Sequence, residues 1–355
     1  MLEGQMVSDF ISYFSRYAVN QLRSFSWMHL CPQMMRQKRP DWRACILAGS
    51  LALYGTTVGN RGATVESYRL YDQALWHIRR RLADANTVAE LVPEDVGSLL
   101  ILSYYEIHAP TTPVAHFEHI KAASTLLVMV GPHRCREGYW HQMFQSVRLH
   151  MLFFSLTRWT STFFASQEWT TIPYTNQRKL ASDDLTILLL HYPRLLSRPH
   201  PPNTLDSNSD TPSSEQLGAA SLIMQELCFV RQKLVSQLSL VQVHDQPEVQ
   251  VPLPINYSPT NSDEATAVTM YSLACILVLV RIENSDFLLT AHCDVILGAA
   301  AAVASFGDGC GLVRMAFPLA TVVRYSTDLV QKGSAEKMLQ SWRTDYGLIG
   351  LPLVI

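Results

Sequence analysis

From position 66 to 82 the apolar residues Tyr68, Tyr71, Leu75, Ile78 and Leu82 recur at steps of three and four. That spacing stacks side chains on one face of an α-helix, while Arg69, Arg79 and Arg80 point elsewhere. A second stripe follows Pro93, with Val96, Leu99, Leu100 and Tyr104, and should stop before Pro110 because the residue ahead of a proline avoids the helical region. A third opens after Pro113 with His116, Phe117, Ile120, Ala123, Leu127 and Val130, and ends at Gly131 and Pro132. Positions 138–164 are apolar nearly all round, which predicts one long central helix in which Arg148 and Arg158 need partners.

The pattern continues to the end of the chain. Asp183 and Asp184 place carboxylates in the first turn of a helix reading "DLTILLLHYPRLL", where they favour the positive end of its dipole, and Pro193 should kink or end it. Residues 197–215 are rich in Pro, Ser, Asn and Asp and read as a mobile surface loop. A helix is predicted over 216–244, then a second irregular, proline-rich connector over 245–262. Further helices are predicted over 264–282, 287–306, 312–332 with Pro318 inside, and 335–346. Alternating strand patterns and 30-to-45-residue self-similarity are not visible, so the expected fold is all-α, an irregular multi-helix bundle forming a single large domain over 1–355.

Composition sharpens this picture. Hydrophobic residues make up 48% and charged residues 16%, against roughly 25% charge in an average soluble domain, so most helices are expected to be covered on several sides. The formal net charge is −2 and the sequence pI about 6.6, which disfavours nucleic-acid binding by this chain. Seven cysteines lie at wide intervals with no C-x2-C pair, the usage expected of reduced, intracellular thiols. The start "MLEGQMVSDF" does not look like a secretory leader. The apolar run 265–280 is short and holds Thr, Ser and Tyr, so it is read as a buried helix rather than a membrane span.

The densest candidate chemistry lies in "ILSYYEIHAPTTPVAHFEHIKAASTLLVMVGP", residues 101–132. His116 and His119, three apart, share one helix face, and Glu106 and His108 end the preceding helix. A metal site would need at least a third ligand, so no metal or cofactor is expected and the rings are read as capping or core groups. Tyr104, Glu106, His116 and His119 are the acid/base candidates, and Tyr105, Tyr139, Trp140, His141 and Arg148 the candidates to line a ligand site. The basic stretches "RQKRPDWR" and "HIRRRLAD" are interleaved with acids and read as solvated faces. "FGDGCG" lacks a phosphate-loop pattern and is read as a turn between helices. No nucleophile elbow or H-E-x-x-H pair occurs.

Taken in order, "YRLYDQALWHIRRRLAD", "EDVGSLLILSYYEI", "AHFEHIKAASTLLVMVGP" and "LHMLFFSLTRW" resemble the fungal-specific transcription factor domain, the helical regulatory region of fungal zinc-cluster activators. "EWTTIPY" before "DDLTILLLHYPRLL", and "RMAFPLATVVRYSTD" before "AEKMLQSWRTDYGLIG", are similar to its closing helices, so the resemblance covers about residues 8–350. Phe117 stands in the place of the family's tryptophan, His119 in that of its histidine, and Lys121 where glycine is usual. Those regulators also carry six clustered cysteines that bind zinc and read DNA, and this chain has none of that cluster. The resemblance implies a regulator-like binding module without its own DNA-reading part, nuclear or cytoplasmic, in transcriptional control of a fungal secondary metabolic pathway. Its expected partners are a small apolar metabolite, another protein or a second copy, with no direct nucleic-acid or membrane contact. The alternative is a repurposed pathway enzyme, an isomerase or cyclase, using an apolar pocket in the bundle. Glu106 and His119 are expected to tie one helix to the next across the intervening turn.

Overall fold

The stripe that begins at Val96 becomes the centre of the molecule. In the computed structural model, which describes residues 2–15, 27–28, 31–36, 39–84, 88–196, 214–238, 252–281 and 286–351, every side chain from Glu94 to His108 is buried. Fourteen α-helices occur among the described residues, and no strand. The first seven are α1 (Leu2–Phe14), α2 (Cys31–Met35), α3 (Pro40–Val58), α4 (Arg61–Asp84), α5 (Pro93–His108), α6 (Ala115–Val130) and α7 (Gly138–Arg158). The others are α8 (Gln167–Thr171), α9 (Ala181–Leu195), α10 (Ser214–Gln237), α11 (Ser262–Leu279), α12 (Asp286–Phe306), α13 (Gly309–Tyr325) and α14 (Leu329–Asp345).

In the first half of the chain α5 packs between α3 and α6, with α4 laid against α3. In the second half α11 packs among α9, α10, α12 and α13. Helix α7 touches α5, α6 and α9, and α1 touches α3 and α13, so these two helices join the halves. The buried apolar side chains form one continuous core. The protein is thus a single all-α domain. Close approach needs a missing side chain in places: at Gly97 an added Cβ would lie 2.7 Å from the Trp42 ring.

Among the described residues two helices are long and apolar enough to cross a membrane, α11 and α12. Protein covers 94% of α11, which makes it a core helix. Its neighbour α12 is 39% covered.

Several boundaries differ from the sequence pattern. The predicted helix over 138–164 ends at Arg158, because Trp159 adopts a left-handed backbone (φ 52°) and Ser155 and Thr160 bond each other in both directions. Thr162 then caps a short 3-10 turn, Phe163–Ala165. The predicted helix over 312–332 breaks at 326–328, where Asp328 accepts a hydrogen bond from Val330 N and starts α14. In the same way Asp308 of "FGDGCG" caps α13, so that glycine-rich stretch is a cap as well as a turn. Pro193 falls in the last turn of α9 and Pro318 inside α13, and neither ends its helix.

Residues 197–213 and 245–251 of the two expected loops lie outside the described residues, as do residues 239–244 of the helix predicted over 216–244. The segment 252–260 is irregular yet tied down. Leu253 O accepts from Arg231 Nε and the Tyr271 hydroxyl, and the Tyr257 hydroxyl donates to Glu264. Helix α1 buries Val7, Phe10 and Phe14, which recur at steps of three and four. Within "RQKRPDWR", Arg39 is held by buried Asp41 and Asp95 at 2.5 Å each, so it is an internal tie rather than part of a solvated face.

Candidate functional site

Seven of the nine candidate residues fall into three groups, and Tyr139 and Trp140 stand apart from them. The first lies at the turn between α5 and α6. Glu106 Oε2 accepts from Thr111 N at 2.7 Å and Oε1 from the Thr111 hydroxyl at 2.8 Å. His119 Nε2 lies 3.8 Å from Glu106 Oε1 and 2.8 Å from the Tyr71 hydroxyl, and Tyr105 stacks on Tyr71 with ring centres 4.4 Å apart. Burial alone would push the Glu106 carboxyl up, but the nearby His119 and Tyr71 and the two bonds from Thr111 together outweigh it and hold it below the ordinary value. Burial pushes the Tyr71 and Tyr105 hydroxyls up. A histidine relay needs a carboxylate on one ring nitrogen and a hydroxyl on the other. Here both groups meet the same nitrogen, Nε2, so the cluster clamps α4, α5 and α6 together and does not line up a proton transfer.

The second group is the middle of the molecule. His116 shares a helix with His119, but its Nδ1 donates to Ser103 O of α5 at 2.8 Å, so the two rings serve different partners. Since a carbonyl only accepts, the hydrogen is on Nδ1. Tyr104 stacks on Phe14 at 4.5 Å and meets His150 Nε2 at 3.5 Å, and Cys310 Sγ lies 3.5 Å from its hydroxyl. Close by, Arg314 Nη1 reaches Asp263 Oδ1 at 3.3 Å, both buried. Burial lowers His116 to about 4, and burial, His116 and Arg314 push His150 well below its usual range.

The third group crosses from α7 to α9. His141 Nδ1 donates to Cys135 O at 2.9 Å, and its Nε2 meets Gln145 Nε2 at 3.2 Å. Gln145 Oε1 in turn accepts from Arg148 Nη2 at 2.9 Å, and the same Nη2 reaches Asp183 Oδ1 at 2.7 Å. Asp183 also accepts from the Tyr174 hydroxyl and, through Oδ2, from Leu180 N, which caps α9. Burial would raise the Asp183 carboxyl, and the Arg148 guanidinium together with bonds from Leu180 N and Gln145 more than reverses that. Arg148 thereby has its expected partner, and it lies over the Phe144 and Tyr174 rings at 5.2 and 5.3 Å. Tyr139 and Trp140 stand apart, half-buried at the start of α7, with Arg134 5.0 Å over Trp140.

Tyr71, Thr111, His150, Asp183, Tyr174 and Arg314 were not among the sequence candidates. Their partners lie up to 51 residues away along the chain, where helical spacing carries no signal. Among the described residues no group of three or more His, Cys, Asp or Glu side chains is arranged to hold a metal ion. Among the described residues, clefts of about 380 and 370 Å³ open at the surface, and none of the nine candidates lines either of these. Comparison with family profiles, with characterised proteins and with solved structures finds no match. What the residues do is therefore read from their own chemistry.

Proposed function

We propose that this chain is a regulator-like helical binding module that works through a small molecule or a protein partner, in the nucleus or cytoplasm, within transcriptional control of a fungal secondary pathway. One observation supports the non-catalytic part of this reading: Tyr104, Glu106, His116 and His119 are buried and bond across helices, and none of them lines either of these two clefts formed by the described residues. Groups that move protons for a substrate must reach it. The order of helical motifs supports the regulatory part, and the small net charge supports action through a partner rather than by direct DNA contact.

The test sets Glu106→Gln and His119→Gln beside the unchanged protein. A module loses stability, about 1–3 kcal/mol for a broken buried hydrogen bond, seen as a lower unfolding midpoint in urea. It leaves a panel of apolar metabolites chemically unaltered. Conversion of any of them, followed by mass spectrometry and abolished in folded Glu106→Gln, would overturn the reading in favour of the isomerase or cyclase.

A further inference from the structure

The cleft of about 380 Å³ between α6, α7 and the stretch after Trp159 has the makings of a small-molecule site, its volume near the lower end of the roughly 300–1,000 Å³ typical of ligand pockets. Its apolar surface comes from Val128, Met151, Phe154 and Phe163, and no charged side chain lines it. Hydroxyls ring that surface. Ser124 and Thr125 both donate to Lys121 O, at 2.7 and 3.0 Å, and Ser155 donates to Thr160 O. A hydroxyl has one hydrogen and two lone pairs, so these three oxygens have donated already and face a newcomer as acceptors, while the Thr160, Ser161 and Thr162 hydroxyls of the same lining can also donate.

The far wall is held in place by an unusual residue. Trp159 is the one non-glycine among the described residues with a positive φ, a position at a helix end that ordinarily suits glycine. Its indole Nε1 donates to Leu196 O at 3.1 Å and Arg281 covers its ring at 5.8 Å, so contacts from elsewhere in the fold keep the backbone there. The chain consequently turns back on itself, and residues 160–163 stand opposite α6 instead of continuing a helix away from it. A backbone conformation that local preference resists, over-determined by tertiary contacts and bordering a cleft, is the kind found at binding sites.

From these observations we infer that the cleft binds a neutral, hydroxyl-bearing aromatic molecule of about two fused rings. This deepens the binding-module reading and rests on it. The rings lie against Phe154, Phe163 and the Met151 thioether, which favours aromatic faces and edges. The ligand hydroxyl donates to the ring of oxygens, and the uncharged lining leaves an anionic analogue without a counter-charge.

The probe is 2-naphthol, with 2-methoxynaphthalene lacking the donor and 2-naphthyl phosphate carrying charge. Binding is followed by anisotropy of naphthol fluorescence and by the carbon-13 methyl signal of Met151, assigned with Met151→Leu. Saturable 2-naphthol binding that shifts the Met151 signal is expected, weakened several-fold for the methyl ether and lost for the phosphate. Val128 is 49% exposed, so Val128→Trp should fill the cleft without disturbing the fold and weaken binding at least tenfold. Ser161→Tyr on the opposite exposed wall provides a second block should the first variant not fold. A Met151 signal unmoved up to the solubility limit, or equal binding to a folded blocked variant, overturns the proposal. If 2-naphthol stabilises unchanged and blocked proteins alike, the cleft assignment falls while the binding-module reading stands. If a metabolite is turned over, that reading falls by its own test.

Discussion

At the scale of single residues, the buried Arg148 and Asp183 show what an internal charge does in this fold. Each is desolvated, and their attraction at 2.7 Å offsets that cost only while both are present. Arg148→Met should therefore cost about 3–5 kcal/mol by leaving the Asp183 charge unpaired, whereas Arg148→Met with Asp183→Asn, which removes that charge and keeps an oxygen to cap α9, should recover part of it. Urea unfolding of the two variants separates the outcomes, and equal loss in both would show that packing, not charge, holds α7 to α9. Legibility at this scale was partial. Glu106 and His119 flank one turn, so their juxtaposition could be expected from a helix pair closing on itself. Tyr71, 48 residues from His119, looked like one more stripe residue, because nothing local distinguishes a core tyrosine from one whose hydroxyl finishes a buried network.

At the scale of elements, apolar stripes located helix bodies well and helix ends poorly. The stripe after Pro93 and the one after Pro113 match α5 and α6 closely, since proline and glycine punctuate both. Between 312 and 346 the apolar pattern runs on while the chain breaks, and the break depends on Asp328 closing over the amide of Val330 at 2.7 Å. Replacing it by alanine should cost about 1 kcal/mol and speed hydrogen exchange at the Val330 amide. Unchanged exchange there would mean that the Ser326 bonds to Gln331 and to Asp328 N alone set the start of α14.

At the scale of the whole molecule, several histidines are buried in neutral form. His108 donates to Gly347 O at 3.1 Å, and His292 meets Pro252 O with Nε2 at 3.1 Å. Burial lowers His108, His116 and His292 to about 4 each. In the unfolded chain they take up protons near 6.5, so acid favours unfolding. Their contribution is complete above pH 6.5 and is lost as pH falls towards 4, by up to about 1.4 kcal/mol per pH unit for each. Glu106 and Asp183, held below their ordinary values, add to the loss only at lower pH. The urea midpoint is expected to drop steeply between pH 6.5 and 4, with proton uptake on unfolding measurable by calorimetry. A flat midpoint from pH 7 to 4.5 would contradict neutral burial of these rings.

Low charge, dense apolar stripes and well-spaced punctuation were sufficient to determine an all-α single domain, because periodicity states which face of each helix must leave water. Apart from Glu106 and His119 across their shared turn, which buried polar groups meet was decided by tertiary structure. Contacts such as Tyr71 with His119, Arg148 with Asp183, or Trp159 with Leu196 join positions far apart along the chain, and only packing brings them within bonding distance. The cleft beside Trp159 belongs to the same class: its wall exists because distant contacts hold a backbone turn that local preference disfavours.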